Sequence, residues 1–128
     1  MEYYFSKKIE SSFDEAIIQV TESLKNEGFG IVSEIRMHDK FKEKLGAKFK
    51  KYTILGACIP VYAYKALQVE DKIGTMLPCN IVVQELSENH IEVAAVNPIA
   101  SMMAIQNPEL AGIAKEVTAK SKIVISRL

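Results

Sequence analysis

The chain has 128 residues, 48% hydrophobic and 25% charged, which is the composition of one folded domain and not of a disordered chain. Its 16 Lys and Arg balance its 16 Asp and Glu, so no overall field favours nucleic acid or an anionic membrane. No apolar run approaches the roughly 20 residues of a membrane span, and residues 1–8 lack the pattern of a secretion signal. Because the chain has only two cysteines, we expect a cytoplasmic protein. The lack of a long apolar run predicts no membrane association, and the length predicts that residues 1–128 form a single domain.

The first third of the chain predicts two strands around a helix. Residues 2–9 alternate between apolar and polar side chains, as a strand does. Ser12 and Glu15 form a capping box ahead of a helical apolar stripe, and Gly28 is suited to end that helix in a left-handed conformation. Residues 29–37 resume the alternation and predict the second strand.

The middle of the chain predicts two more helices around a buried strand. Asp39 is expected to cap a short helix whose inward face carries the apolar residues Phe41, Leu45 and Phe49. Residues 52–59 are β-rich and predict a buried strand. Pro60 fits the first turn of the next helix, which is expected to end near residue 71.

The last third predicts a hairpin and a helical end. Residues 79–86 and 90–96 read as strands joined by the turn 87–89. Asn97-Pro98 and Asn107-Pro108 each pair a capping residue with proline at the first helical position, so a short and then a long helix should follow. Residues 122–128 fit the end of that helix or a last strand.

The predicted element order is β-α-β-α-β-α-β-β-α. It indicates an α/β (α+β-like) fold with one mixed sheet of about five strands and helices mainly on one face. Several strands alternate polar and apolar residues, which fits a sheet whose other face meets solvent or a ligand.

Two motifs in the middle of the chain carry a family resemblance. They are Leu55-Gly56-Ala57-Cys58-Ile59-Pro60 and Leu77-Pro78-Cys79-Asn80, and Asn97-Pro98 follows later. With this pattern, the chain resembles domain-of-unknown-function family 302 over nearly its whole length. The resemblance implies a small α/β fold found in bacteria and archaea, and it implies no reaction. The chain departs from the family in having Ile59 in place of a polar cap and Asn97 in place of an aspartate.

The same motifs contain the candidate site residues. Cys58 precedes the helix start at Pro60, where peptide amides can lower the pKa of a thiol and so make the cysteine a nucleophile. The commoner use of a free cysteine is as a small, buried apolar residue. Glu70 lies on the apolar face of the same helix and could assist as acid or base, or could simply reach solvent. We therefore take Cys58 and Glu70 as candidate catalytic residues. The candidate ligand-binding residues are Cys58, Pro60, Pro78, Cys79 and Asn80.

The two cysteines are expected to lie apart. If the strands 52–59 and 79–86 are parallel neighbours, which we favour, the thiols sit at opposite ends of the strands, roughly 25 Å apart. If the strands are antiparallel, the thiols can meet.

A basic run extends from Lys40 to Lys51 and contains six lysines and one glutamate. It could bind phosphates, but such runs are usually the solvated outside of a helix, so we do not expect nucleic-acid binding. Met102 and Met103 could line a pocket or a homodimer seam, but core packing is the commoner use of such methionines. No nucleotide-binding loop or zinc spacing occurs, so we expect no cofactor and no metal. The leading hypothesis is a small-ligand-binding domain with its site at residues 58–60 and 77–80. The alternatives are a thiol-dependent enzyme using Cys58 and phosphate binding through the lysine run.

Overall fold

The computed structural model, which describes residues 2–128, is built around one sheet of five strands. The strands are β1 (Tyr4–Glu10), β2 (Gly30–Arg36), β3 (Tyr52–Cys58), β4 (Cys79–Ser87) and β5 (His90–Val96). The helices are α1 (Phe13–Asn26), α2 (Met37–Leu45), α3 (Pro60–Val69), α4 (Pro98–Ser101) and α5 (Pro108–Ser126), with a 3-10 helix at Asp71–Met76. The predicted α/β class, element order and strand number are confirmed.

Every neighbouring strand pair is antiparallel, in the order β1-β5-β4-β3-β2. The predicted parallel pairing of the strands 52–59 and 79–86, which would have made the sheet mixed, is therefore wrong. The chain between them, α3 and the 3-10 helix, returns to the same end of the sheet instead of crossing to the other end. β4 then runs back along β3, with Cys79 opposite Ala57.

The helix-covered face of the sheet holds the main core. Alternate strand residues such as Leu55, Ile81, Val83 and Val93 are buried there against α1 and α5. From α1 the contacting side chains include Phe13, and from α5 they include Val124. Because side chains alternate along a strand, the residues between these positions lie on the opposite side of the sheet.

That opposite side, which we call the open face, has no helix packed on it among the described residues. On β1, β5, β4 and β3 its residues are half-buried or exposed, in contrast to the buried residues of the helix-covered face. They are Tyr4, Ser6 and Lys8 of β1, Glu92, Ala94 and Val96 of β5, Asn80, Val82 and Gln84 of β4, and Tyr52 and Ile54 of β3. The expectation of a sheet with helices mainly on one face is confirmed.

The predicted helix caps are confirmed for α1, α4 and α5. The hydroxyl of Ser12 accepts a hydrogen bond from the backbone N–H of Glu15, and Gly28 after the helix has a positive φ of 87°. Asn97 and Asn107 accept from the backbone N–H groups two residues ahead. Residues 122–126 continue α5, so the alternative of a last strand is excluded.

Helix α2 differs from its prediction. It begins after Arg36, and Asp39 lies inside its first turn, where its carboxylate accepts from the Arg36 guanidinium at 2.7 Å. None of the nine residues of α2, all of them described, is buried. Leu45 is 73% exposed and Phe49, beyond the helix, is 46% exposed, so the predicted inward apolar face is wrong. The reason is that α1 and α5 already cover the sheet, and α2 contacts it at the start of β3, where the backbone N–H of Tyr52 donates to the His38 ring.

Candidate functional site

The structure places the two cysteines at the same end of neighbouring strands. Cys79 pairs with Ala57 across the β3–β4 ladder, and Cys58 is the next residue along β3. The two thiols are free, and both line one small cavity on the helix-covered side. The expected separation of the cysteines along opposite strand ends is therefore wrong, because the strands are antiparallel.

The cavity at the cysteines is small and apolar. Its volume is about 30 Å³, and its other lining residues include Phe29, Ala66 and Val117. A volume of this size corresponds to about one water molecule, and a water there would lack polar partners. Burial, with a smaller contribution from Cys58, raises the pKa of the Cys79 thiol to about 11. The surroundings of Cys79 thus favour a neutral thiol over the thiolate that nucleophilic chemistry requires.

Glu70 lies at the opposite end of α3 from Cys58. The helix has ten residues, so its two ends are about 15 Å apart. The Glu70 carboxylate accepts a hydrogen bond from the Asn107 amide at 3.3 Å, and the same amide donates to the carbonyl of Val69 at 2.9 Å. Glu70 therefore joins α3 to the start of α5, and the structure does not bring it to the cysteines.

The remaining predicted residues are divided between the two sides of the sheet. Pro60 is exposed at the start of α3. Cys79 faces the small cavity, whereas the next residue, Asn80, lies on the open face. Pro78 also lies on the open side, since a methyl group added to Gly56 would come within 2.6 Å of its ring. The strand alternation that begins at residue 79 separates these neighbours.

Two larger concavities exist: one of about 390 Å³ beside α4 and α5, lined in part by Met102 and Met103, and a groove of about 380 Å³ on the open face. The groove combines apolar, aromatic and polar groups. Its floor is made by small and medium apolar residues of β4 and β5, among them Val82 and Ala94. Tyr4 and Tyr52 supply aromatic rings, one on β1 and one on β3. Polar groups come from Asn80, Gln84 and Glu92.

A polar row crosses the groove from strand to strand. Lys8 pairs with Glu92, Glu92 with Gln84, and Gln84 with Tyr52 in the register of the sheet. The Gln84 amide donates to the Glu92 carboxylate at 3.3 Å. Among the described residues that line the groove, Glu92 is the single acidic or basic residue, and Lys8 lies beside it on β1.

Sequence reasoning found Asn80 but missed the other polar groove residues. Gln84, Glu92 and Tyr52 look individually like ordinary exposed strand positions. The sequence feature that could have identified them is the alternation along the strands, which places Gln84 and Glu92 on the face opposite Val83 and Val93. The register that aligns them depends on which strands are neighbours.

The lysine run forms a second surface feature at the edge of the sheet. Lys40, Lys42, Lys44, Lys48, Lys50 and Lys51 are all exposed. Between them the rings of Phe41 and Phe49 pack edge to face, with centroids 5.2 Å apart, and Phe49 lies 6.1 Å from Tyr52. Basic and aromatic groups therefore alternate on one exposed surface.

Residues 2–128 contain neither a cluster of metal ligands nor a helix that could cross a membrane. No three His, Cys, Asp or Glu side chains in this range come together as the ligands of a metal ion would. No helix in the described part of the chain has both the length and the apolar character needed to cross a membrane.

Comparison with known proteins gives a family and no reaction. Residues 5–128 match the model of the family described as "Domain of unknown function DUF302". Among solved structures, the chain is similar to an uncharacterized conserved protein DUF302 from Bacillus stearothermophilus, with a TM-score of 0.90 and 26% identity. That match covers 99% of this chain and 98% of the other. A comparison with curated proteins finds no match.

Proposed function

The chain belongs to the DUF302 family, and we propose that it is a cytoplasmic protein that binds a small ligand in the groove on the open face of its sheet. The observation that carries this proposal is the combination of aromatic rings, an apolar floor and three polar side chains in one concavity. Small-molecule sites have this composition and occupy about 300–1,000 Å³, a range that includes this groove.

The groove indicates the chemical class of the ligand. Its floor follows the plane of the sheet, and Tyr4 and Tyr52 stand on two different strands, so a flat molecule can lie on Val82 and Ala94 and contact the rings. The carboxyl group of Glu92 supplies hydrogen-bond acceptors, whereas the amides of Gln84 and Asn80 both donate and accept. A planar, neutral or cationic compound with polar edges fits these groups better than an anion does.

The proposed site lies away from the Cys58–Pro60 turn but includes Asn80. The cavity at Cys58 has room for about one water molecule, so it cannot hold a ligand in this conformation. The Leu77–Asn80 connection still contributes, because Asn80 forms part of the groove and Pro78 lies on the same side.

Two probes of equal shape and opposite charge test the proposal. Aminoacridine is a planar cation and acridine carboxylate a planar anion, and either can be followed by its own fluorescence anisotropy. We expect the cation to bind more tightly, and Glu92→Gln to weaken its binding by about tenfold to 100-fold, since a hydrogen bond to a charged group contributes about 1.5–3 kcal/mol. Glu88→Gln, in the exposed turn between β4 and β5, is the matched control and should leave binding unchanged.

The native ligand can be sought in the same protein. Native mass spectrometry of the purified chain should show an additional mass that Glu92→Gln reduces and Glu88→Gln retains. Binding of neither probe, together with the absence of any retained mass, would remove the case for a ligand site in the groove.

A second candidate function is supported by the exposed lysine run. Because Phe49 is 46% exposed and not buried as expected, its ring is accessible among six lysines. Single-stranded nucleic acids bind surfaces of this kind through phosphate contacts and base stacking. We would measure the binding of a labelled oligonucleotide at several salt concentrations. Lys44→Glu with Lys48→Glu should abolish it, whereas Lys65→Glu with Lys115→Glu on other helices should not.

The thiol-enzyme alternative receives less support from the geometry. Cys79 is held as a neutral thiol, and Glu70 is bound to Asn107 at the far end of α3. Cys58 would have to act without either of them.

A further inference from the structure

The concavity of about 390 Å³ lies between α5 and the segment that leads into this helix. That segment, residues 98–106, consists of α4 and the turn and loop after it, and we call it the strap. The strap lines the concavity with Ile99, Met102, Met103 and Ile105, and α5 lines it with Leu110 and two alanines. The apolar side chains are all aliphatic or thioether groups, and no aromatic ring of the described chain lines this space.

Hydrogen bonds hold the strap to the rest of the protein at its two ends. The amide of Asn97, just before it, donates to the carbonyl of Glu2 at 3.1 Å, and the amide of Asn107, just after it, donates to the carbonyl of Val69 at 2.9 Å. Between these ends, in the part of the chain that the structure describes, the hydrogen bonds of the strap stay within residues 97–106. Apolar contacts alone therefore hold its middle against α5, so the strap can open without breaking a hydrogen bond to that helix.

The concavity under the strap adjoins the small cavity at the cysteines. Met102 and Ala114 line both spaces, so these two residues form the wall between them. A methionine side chain is unbranched and adapts its shape to its surroundings. Rotation of the Met102 side chain would join the outer space to the inner cavity of about 30 Å³ and give one apolar channel that runs inward from the surface.

The polar groups of the concavity come from Asn107 and Lys115. The side chain of Asn107 is already engaged, because its amide donates to Val69 and Glu70 and its oxygen accepts from the backbone N–H of Glu109. Lys115 is exposed and is the single charged residue among the described residues that line the space.

The charge of Lys115 is not compensated by a neighbouring carboxylate. The residues three and four positions away along α5, where a helical ion pair would form, are Ala111, Gly112, Thr118 and Ala119. Within residues 2–128, Lys115 takes part in no ion pair. An apolar space with one free ammonium group at its edge is complementary to a ligand with an apolar chain and one anionic end.

We propose that the strap and α5 bind the anion of a medium-chain aliphatic acid, with its chain beside Met102 and its carboxylate at Lys115. Aliphatic walls without a ring suit a flexible chain better than a flat molecule, and one ammonium group suits one carboxylate. The volume of about 390 Å³ lies near the lower end of the roughly 300–1,000 Å³ of small-molecule sites, which favours a medium over a long chain. This site is separate from the groove on the open face and does not depend on the ligand proposed there.

Titration calorimetry of the full chain with octanoate, decanoate and dodecanoate, each kept below its micelle concentration, tests the apolar part of the site. We expect the affinity to rise about fourfold per added methylene until the chain fills the space, which is the gain that burial of one methylene gives. The absence of saturable binding, or an affinity that does not change with chain length, would overturn the proposal.

Decanol, which has the same chain without the charge, tests the role of Lys115. The wild type should bind decanoate about fivefold more tightly than decanol, since an exposed ion pair contributes up to about that factor. Lys115→Met keeps an apolar stem and should remove this preference while it still binds decanol. Lys120→Met, on the same helix but outside the concavity, is the matched control and should keep the preference. A preference that survives Lys115→Met would contradict the proposed orientation of the ligand and overturn the proposal.

Two substitutions test the position of the site. Ala111→Trp places a large ring in the concavity and should abolish decanoate binding, whereas Ala119→Trp, exposed on the same helix outside the concavity, should bind as the wild type does. Met103→Glu, at a strap position that is 68% exposed, puts a carboxylate beside the site without altering a helix and should also weaken decanoate binding. Circular dichroism should show that the variants fold. Decanoate binding that both Ala111→Trp and Met103→Glu retain would overturn the proposal.

Vesicles of phosphatidylcholine distinguish a free acid from a membrane surface as the occupant. We expect the wild type to bind decanoate and to remain in the supernatant when the vesicles are sedimented. Co-sedimentation that Met103→Glu abolishes, without binding of free decanoate, would assign the strap to a lipid surface and overturn the proposal.

Discussion

The thiol of Cys79 should be markedly unreactive in the folded protein. Burial raises its pKa from 9.0 to about 11. A difference of about two between these pKa values lowers the thiolate population at about pH 8 by roughly 100-fold. Since the thiolate is the reacting form, alkylation should slow by about the same factor relative to an unfolded chain.

The assay uses the Cys58→Ser variant, so that one thiol is observed. Iodoacetamide labelling is followed by mass spectrometry from neutral to alkaline pH, first in buffer and then in denaturant. The folded rate should keep rising up to a pH of about 11, whereas the denatured rate should level off near 9.0. A folded Cys79 that titrates at or below 9.0 would refute the argument from burial and would make this thiol a candidate nucleophile.

The same pKa has a consequence for stability. The folded chain holds the thiol proton more tightly than the unfolded chain, so the contribution of this group to stability is complete below a pH of about 9.0. It is lost as the pH rises through about 11. The free energy of unfolding of the wild type should therefore fall over this range more steeply than that of Cys79→Ala.

Three further substitutions test local features of the fold by urea unfolding. Gly56→Ala should destabilise by about 1–3 kcal/mol, because its methyl group would lie 2.2 Å from the Ser33 hydroxyl and 2.6 Å from the Pro78 ring; an unchanged midpoint would contradict this packing. Ser12→Ala should lower the free energy of unfolding by about 1 kcal/mol, because it removes the cap of α1. Ser12→Asp should keep most of the wild-type stability, because aspartate also caps a helix. Asn107→Asp keeps the oxygen that caps α5 but loses the amide hydrogen bonds to Val69 and Glu70, so the free energy of unfolding should fall by about 1–3 kcal/mol. A stability equal to that of the wild type would show that these two hydrogen bonds are dispensable.

The prediction for α2 shows where an amphipathic pattern misleads. Phe41, Leu45 and Phe49 recur every four residues, which predicts a face packed on the core. The core already receives Phe13 and Val124 from α1 and α5, and α2 has no uncovered part of that face to occupy. Its apolar residues therefore remain at the surface, where the ring of Phe49 is accessible beside the exposed lysines.

The prediction for the cysteines shows the effect of a single topological choice. A helical segment between two strands favours a parallel crossover, which would have placed Cys58 and Cys79 at opposite ends. The 3-10 helix at Asp71–Met76 instead turns the chain back toward the end of β3, so that the strands are antiparallel and the two thiols line one cavity.

The sequence by itself determined the elements of this protein: the Ser12, Asn97 and Asn107 caps, the hairpin at residues 87–89, the alternating strands and the family motifs. These are local signals, because capping and alternation depend on residues a few positions apart. The tertiary structure decided which strands are neighbours and in which direction, and hence that Asn80, Gln84, Glu92 and Tyr52 share one groove while Cys79 faces away from it. Strand order is fixed by how the whole set of helices covers one face of the sheet, and no short segment contains that information.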